Sequence, residues 1–352
     1  MDRHKRVQNR WLLSGALAVS VITIFFADKL SAPSHLTSGQ PAAAKVTSAS
    51  LRLMSAFGPP AAGVMVAQRA GLFDREDLHI EIHVGHDAED PISSVVNGSD
   101  TFGLTRADSF LVARAKGARI VTFAAGFIES PTVFYALKQS GIRTPQDFVG
   151  RRIGYRASDG SALVYDTLVT WLGLPQSAVT LVPVADELSM LLRGDVDVWP
   201  GHIGVEDYAL NEKGVDYNAI NPENYGVHLI GSVFFASELT IAKHPEIVHR
   251  FLDGVVAGWN KVYGDYSTSV PMIVSFDEKR LAPDYVRFAL DRQGEHLRSL
   301  AVRYGEFTDN QWRSLQATLL SDRRLDSNVD LRTAINYDFL REAYRKSLTF
   351  GQ

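Results

Sequence analysis

Two hydrophobic periodicities alternate between residues 51 and 126, and this alternation constrains the fold more than any other feature of the chain. Residues 78–84 alternate between apolar and polar side chains, which is the period of a strand with one buried face. Residues 61–70 have the small-residue amphipathic pattern of a helix, and Gly71 is expected to provide its left-handed cap. The same reasoning predicts strands at 50–54, 101–104 and 120–125 and a helix at 107–115.

Strands that alternate with short helices in this way are typical of the α/β class. The connections between such strands are right-handed, and the sheet that they form is mostly parallel. An open sheet of this kind binds its ligand in a crevice outside the carboxyl ends of its strands. We therefore expect functional side chains directly after the strands.

A second α/β series follows an extended apolar segment at 131–137, and another long apolar segment lies at 227–236. These two segments are interpreted as strands that cross between two lobes. The rest of the chain is predicted to form helices, at 244–263, 283–304, 309–320 and 339–348. The predicted domains are a discontinuous lobe one at 51–133 plus 236–352 and a lobe two at 134–235. Within lobe two, strands are predicted at 151–155, 179–184, 196–199 and 215–220 and helices at 158–172, 186–192 and 206–213.

Composition excludes several classes of function. The formal net charge of the 352 residues is −4, and no basic cluster occurs outside the N-terminus, so a nucleic-acid partner has no electrostatic support. The chain has no cysteine, which excludes disulfides, thiolate chemistry and cysteine-ligated zinc.

The N-terminus has the pattern of an export signal. Basic residues precede an apolar run at 11–26, and Leu30-Ser31-Ala32 then resembles a cleavage site. Residues 1–32 are therefore predicted to be a signal peptide, with an uncleaved signal anchor as the alternative, and 33–50 to be a linker. The predicted location is periplasmic or otherwise extracytoplasmic, with membrane contact only through the N-terminal segment.

A specific resemblance begins at residues 67–81, AQRAGLFDREDLHIE, which match the pattern A-x-x-x-G-x-F-x-x-x-x-L-x-I/V-E. This pattern is similar to that of the ABC-importer binding proteins for nitrate, alkanesulfonates, taurine and thiamine-pyrimidine precursors. Further segments agree with the same family in the same order along the chain. They are 96–103, 111–117, 141–150, 191–197 and 251–259.

The resemblance implies a type 2 periplasmic-binding fold, with two α/β lobes, two crossing strands and a ligand in the cleft between the lobes. It implies a monomeric solute-binding component of an ABC importer that captures a small organic molecule by hinge closure and delivers it to a permease, without a cofactor. The alternatives are a membrane-anchored sensory module and an enzyme that processes a pyrimidine. Eukaryotic pyrimidine-synthesising relatives of this fold use a cysteine-rich loop, so the absence of cysteine disfavours the enzyme.

Candidate ligand-binding residues in lobe one follow its predicted strands. Phe57 is placed to stack on a planar ligand, although an aromatic residue there is as often part of the core. Arg106 is able to form a forked contact with an anion, and its alternative is a salt bridge with Asp108. The complete set in this lobe is Ser55, Phe57, Arg106, Asp108 and Phe127.

The candidates in lobe two lie at a helix start and after the strand predicted at 196–199. Ser158 either contributes to an oxyanion site or simply caps its helix. Trp199 is predicted to form a stacking wall. Glu206 is predicted either to accept a hydrogen bond from a ligand amino group or to be a helix N-terminal carboxylate favoured by the helix dipole. The complete set in this lobe is Ser158, Asp159, Ser161, Trp199, His202 and Glu206.

The ligand class stays open between two chemistries. Phe57, Trp199, Glu206 and Asp159 favour a neutral or amino-bearing heteroaromatic such as a pyrimidine precursor of thiamine. Arg106, His202 and the helix start at Ser158 favour an anion such as a sulfonate. No catalytic motif is found. The spacing of His79, His83 and His86 suggests metal, but His79 and His83 are predicted to face solvent, so no metal site is predicted.

Overall fold

The computed structural model describes residues 47–85, 90–157, 159–185, 188–297 and 303–349, which belong to one compact unit. The predicted signal segment at 1–32, the predicted linker as far as residue 46, and the residues His86 and Ser158 lie outside these ranges. Within the described ranges, no helix combines the length and the apolar character that a membrane span requires.

The described part of the chain is an alternation of strands and helices. The strands are Thr47–Arg52 (β1), Leu78–His83 (β2), Phe102–Arg106 (β3), Ile120–Phe127 (β4), Thr132–Leu137 (β5), Arg152–Tyr155 (β6), Thr180–Pro183 (β7), Trp199–His202 (β8), Tyr217–Ile220 (β9) and Ser232–Ser237 (β10). The α-helices are Ala62–Arg69 (α1), Pro91–Val96 (α2), Ala107–Ala115 (α3), Gly160–Trp171 (α4), Ser189–Arg193 (α5), Glu206–Glu212 (α6), Glu238–Lys243 (α7), Pro245–Gly264 (α8), Tyr266–Val274 (α9), Pro283–Leu297 (α10), Asp309–Ser321 (α11), Leu331–Ala334 (α12) and Asp338–Thr349 (α13).

The strands form two groups. The first is a five-stranded sheet in the order β2-β1-β3-β10-β4, in which β10 runs antiparallel to both of its neighbours. The second consists of a three-stranded sheet, β8-β5-β9, and the parallel pair β6-β7, with a single bridge from Ile153 to Val198 between them. The chain passes between the groups at 128–131 and 227–231, and these passages are hydrogen-bonded together from Ser130 N to the Leu229 carbonyl (2.7 Å).

Strand pairing moves the predicted lobe boundaries by a few residues. Thr132 and Val133 were assigned to lobe one, but they lie in β5 and pair with β8 of the second group. Residues 232–235 were assigned to lobe two, but they lie in β10 and pair with β3 and β4 of the five-stranded sheet. An apolar extended segment fits either sheet equally well, and only its hydrogen-bonding partners determine its side of the boundary.

Two further predictions need correction. Residues 47–50 are not linker, because β1 begins at Thr47 and pairs with β2 from its first residue. The strand predicted at 196–199 instead spans 199–202, so Trp199 begins β8 and does not end the strand. Pro200 is tolerated there because β8 is the edge of its three-stranded sheet. Helix α9 was not predicted, and the helix predicted at 283–304 is described as far as Leu297.

Other predictions are confirmed. Strand β2 alternates between buried and exposed residues up to its last residue, Gly71 adopts a φ of 64°, and α3 has the predicted bounds. The buried stripe of α8 is also confirmed, because its apolar residues pack against α1 and the five-stranded sheet. Phe251 lies at the centre of this core and stacks on Phe102, with ring centroids 4.3 Å apart.

Candidate functional site

A cavity of about 780 Å³ lies where the two groups of strands meet. Both passages between the groups contribute to its wall, through 130–131 and 229–231. The loop after β1 and the end of β3 form one side, and the start of α4 and the end of β8 form the other. Of the predicted site residues, those that line this cavity are Ser55, Phe57, Arg106, Asp108, Phe127, Asp159 and His202.

Phe57 occupies the loop between β1 and α1 and is partly buried. Its ring lies 5.0 Å from that of Phe276, centroid to centroid, in a tilted arrangement. Phe57 therefore packs against the core of the first group while it also faces the cavity. Both predicted roles, core residue and ligand-facing aromatic, are compatible with this position.

Arg106 and Asp108 form the ion pair that was the alternative prediction. The Arg106 Nε lies 3.1 Å from Asp108 Oδ1, and the Arg106 side chain is 37% exposed. Arg106 also reaches the opposite wall, because a Cβ at Gly160 would lie 3.0 Å from Arg106 Cδ. Glycine at position 160 thus allows the first turn of α4 to approach the end of β3 closely.

Asp159 is held by its own helix and by a neighbouring cation. Its carboxylate accepts a hydrogen bond from Ser161 N (2.8 Å) as the N-cap of α4. Arg156 Nε lies 2.8 Å from the other carboxylate oxygen, and Arg156 also donates to the Pro200 carbonyl. Ser161 is buried beneath Asp159 and does not line the cavity, contrary to the prediction.

Trp199 and Glu206 do not take the ligand-facing positions predicted for them, and Glu206 instead has its alternative position, as a carboxylate in the first turn of α6. Trp199 is only 1% exposed and packs with Tyr135 and Leu210 in the core of the second group, so it forms no wall of the cavity. Glu206 also does not line the cavity, since its carboxylate folds back over β8 and accepts from His202 N (2.7 Å) and Trp199 Nε1 (3.4 Å). Glu206 therefore fixes the backbone of His202, which does line the cavity.

No pattern in the sequence pointed to the part of the cavity that comes from the C-terminal elements. The residues involved follow no strand and lie about 200 positions after the first wall in the chain. Two of them lie on α10, one precedes that helix and one lies on α11, so this part of the wall comes from the packing of C-terminal elements against the two groups of strands. They are Arg280, Tyr285, Gln293 and Leu315.

Helix α10 is attached directly to the second group of strands and helices. Arg292 Nε lies 2.9 Å from Asp207 Oδ2 on α6, and the Asp207 side chain is fully buried. Tyr208 packs its ring against Tyr285, with centroids 5.2 Å apart, and Gln293 Nε2 donates to the Ile203 carbonyl at 3.1 Å. The two walls of the cavity are thus joined by an ion pair, an aromatic contact and a hydrogen bond.

A buried charge cluster supports the loop after β1. Asp100 is fully buried and binds Arg52 Nε (2.8 Å) and His83 Nδ1 (2.7 Å), with a further hydrogen bond from Ser94. Arg52 also donates to the carbonyl of Val84. His83 was predicted to face solvent, but this contact holds it half-buried at the end of β2.

Hydrogen bonding sets the protonation states of this cluster. Burial alone would raise the pKa of Asp100, but hydrogen bonds from Ser94, Arg52 and His83 outweigh it and lower that pKa to about 2. Burial would likewise lower the pKa of His83, but its hydrogen bonds to Asp100 and Glu81 prevail and raise it. Among the described residues, no group of three or more side chains is placed to hold a metal ion.

The folded protein is expected to lose stability in acid through Asp100. A carboxyl whose pKa is lowered on folding stabilises the fold above its unfolded value, near 3.8, and this contribution disappears as the pH falls towards 2. The expected loss is about 2 kcal/mol. Urea unfolding of the wild type and of Asp100→Asn between about pH 5 and about pH 1 measures it, because these limits lie about 1 unit outside the two pKa values. A constant difference between the two proteins over this range would contradict the assignment.

Comparisons with known proteins agree with this architecture. Residues 59–266 match the family described as NMT1/THI5 like. The 4-amino-5-hydroxymethyl-2-methylpyrimidine phosphate synthase of Legionella pneumophila is 28% identical over 200 residues, which cover 55% of this chain and 63% of that protein. The riboflavin-binding protein RibY of Chloroflexus aurantiacus is 22% identical over 347 residues, which cover 94% of this chain and 97% of that protein. The chain thus spans less than two thirds of the pyrimidine phosphate synthase but nearly all of the riboflavin-binding protein.

Solved structures of low sequence identity share the fold. The periplasmic sulfonate-binding protein SsuA of Methylobacillus flagellatus aligns with a TM-score of 0.69 at 14% identity, covering 87% of this chain and 96% of that one. The aliphatic sulphonate-binding protein SsuA of Escherichia coli aligns with a TM-score of 0.66 at 17% identity, covering 82% and 92%. The chain has the predicted two-lobed, type 2 periplasmic-binding fold. Because the family match covers more than half of its residues, the chain belongs to the NMT1/THI5-like family.

Proposed function

We propose that this protein is the extracytoplasmic solute-binding component of an ABC importer. In this proposal it captures a small planar heteroaromatic molecule between its lobes and presents the closed form to a permease. The observation that carries the proposal is the cavity of about 780 Å³ at the junction of the lobes, with walls from both of them. Pockets of this size and position are typical of small-molecule sites.

The passages at 128–131 and 227–231 support closure by a hinge. They are short, lie side by side and are hydrogen-bonded together, so a rotation about them changes the distance between the cavity walls. Arg106 and Gly160 would separate in such a rotation, because they approach each other from opposite walls. A ligand that contacts both walls would bind the closed form more tightly than the open form, and this difference in affinity would favour closure.

The charges around the cavity favour a neutral ligand over an anion. The carboxylates of Asp108 and Asp159 already have guanidinium partners in Arg106 and Arg156, so neither pair leaves a free charge for a ligand. Much of the remaining wall is apolar or aromatic, including Phe57, Phe127 and Leu163. The relatives named for a pyrimidine and for riboflavin support the heteroaromatic class, whereas Arg280 and His202 keep a sulfonate as the second ligand class.

Binding of defined compounds to Arg106 variants tests the ligand class. Titration calorimetry with 4-amino-5-hydroxymethyl-2-methylpyrimidine, riboflavin and taurine is expected to detect binding of a heteroaromatic compound and not of taurine. Arg106→Met is expected to weaken that binding by less than about tenfold, because a neutral ligand needs no ion pair, whereas an anion would lose about a hundredfold. Arg119→Met, which alters an exposed arginine bound to Glu238, is the matched control and should leave affinity unchanged. Binding of taurine alone would contradict the proposed class.

The name of the Legionella relative makes a pyrimidine-forming enzyme the second candidate. It differs from the importer component in what happens to a bound compound. Prolonged incubation of the protein with each compound, followed by mass spectrometry, should return the compound unchanged if the protein only binds it.

Stimulation of the ATPase activity of the permease in proteoliposomes by the liganded protein tests the transport role directly.

A further inference from the structure

Gln293 is a buried polar residue of α10 that lies on the cavity wall. It is 1% exposed, and its side chain contacts the backbone of the second lobe. Its Nε2 donates to the carbonyl oxygen of Ile203 at 3.1 Å. Ile203 directly follows β8, and its own N donates to the Pro131 carbonyl in the passage between the lobes. Gln293 therefore contacts the segment that joins the cavity wall to the hinge.

The orientation of the Gln293 amide follows from this contact. The Ile203 carbonyl only accepts hydrogen bonds, so the amide group that faces it must be the NH₂ group. A flipped amide would place two acceptor oxygens against each other. The Oε1 atom is consequently directed away from Ile203, and it is buried without a hydrogen-bond donor among the described residues.

A buried acceptor without a donor destabilises the protein unless a group outside the described residues satisfies it. We propose that Gln293 Oε1 accepts a hydrogen bond from an N–H group of the ligand. Gln293 would thereby select heteroaromatic compounds that carry an amino group or a protonated ring nitrogen at that edge. This inference rests on the proposed function, and it adds the residue that distinguishes one heteroaromatic from another.

The same side chain links recognition to closure. Its NH₂ group holds the second lobe through Ile203, and its oxygen is left to the ligand. A ligand donor polarises the amide and strengthens the hydrogen bond to Ile203, because hydrogen bonds in a chain reinforce each other. A compound of the same shape without the donor would leave Oε1 unsatisfied in the closed form, and its affinity would fall.

The test compares two compounds on two proteins. The compounds are 4-amino-5-hydroxymethyl-2-methylpyrimidine and its analogue without the 4-amino group, with riboflavin and 3-methylriboflavin as a second pair. The wild type is expected to bind the parent of one pair at least about tenfold more tightly than its analogue, which corresponds to one lost hydrogen bond to a buried group. In Gln293→Met, which keeps the length of the side chain, the parent and its analogue should bind within about twofold of each other.

Gln311→Met is the matched control. Gln311 also lies on a helix and also donates Nε2 to a backbone carbonyl of a passage, that of Ile128, but its Oε1 already accepts from Thr308, and it does not line the cavity. This variant should preserve the preference for the parent compound. A preference that persists in Gln293→Met, or is absent from the wild type, would overturn the role of Gln293. If the wild type binds neither parent compound, the proposed ligand class fails and the inference fails with it.

Discussion

Replacing Gly258 with alanine is expected to lower the free energy of unfolding by at least about 3 kcal/mol. A Cβ at this position would lie 2.0 Å from the carbonyl oxygen of Gly63 and 3.0 Å from the Cβ of Ala67. The nearest atom belongs to the backbone of α1 and not to a flexible side chain, so α1 and α8 must separate to admit the methyl group. Guanidinium unfolding monitored by circular dichroism measures the change.

Gly264→Ala is the control for this prediction. Gly264 ends the same helix, has no atom within contact distance of an added Cβ, and is not among the glycines with positive φ. Its replacement should change stability by less than about 1 kcal/mol, in the stabilising direction expected for alanine in a helix. Equal effects of the two substitutions would show that the contact between α1 and α8 is not responsible. Because α1 starts directly after the loop that carries Phe57, Gly258→Ala should also disturb the cavity.

Replacing Arg292 with methionine is expected to lower the free energy of unfolding by about 3 kcal/mol. The substitution leaves the carboxylate of Asp207 fully buried without its ion-pair partner. Burial and the charge of Asp207 already raise the pKa of the neighbouring Tyr135 well above its usual value, so an uncompensated charge here has little solvent to screen it. Asp207 can regain hydration only if α6 moves away from α10, which opens the cavity.

Two measurements check this second prediction. Thermal unfolding should show the loss of stability, and small-angle X-ray scattering should show a larger radius of gyration if the lobes separate. Arg287→Met is the control, because Arg287 is an exposed residue of the same helix, and its replacement should change stability by less than about 0.5 kcal/mol. Unchanged stability and unchanged scattering of Arg292→Met would mean that this ion pair does not hold the lobes together.

These two substitutions act on different parts of the site. Gly258 maintains the packing of one wall within its own lobe, whereas Arg292 joins that lobe to the other. Gln293, the neighbour of Arg292, is proposed to detect the ligand at the same joint. Helix α10 therefore combines contacts that join the two groups of strands and helices with the contact proposed to depend on the ligand.

The sequence alone was sufficient for the α/β class, for most of the helices and strands, and for the family. Local periodicity determines these features: β2 alternates because one of its faces is buried, and α8 carries an apolar stripe because it covers a sheet. Residues at or after the ends of strands, such as Arg106 and Asp159, were also found at the cavity, because the carboxyl ends of strands meet at one edge.

Only the tertiary structure decided which of the candidate side chains face the cavity. Trp199, Glu206 and His202 were all proposed because they lie at or shortly after the end of a predicted strand. Because β8 spans 199–202, Trp199 lies in the core, and the Glu206 carboxylate binds the backbone of His202. Gln293 and Arg292 carried no local signal, because their roles arise from the packing of α10 against α6 across a long separation in sequence. Hydrophobic periodicity shows which face of an element is buried. Which other element covers that face depends on contacts between distant parts of the chain.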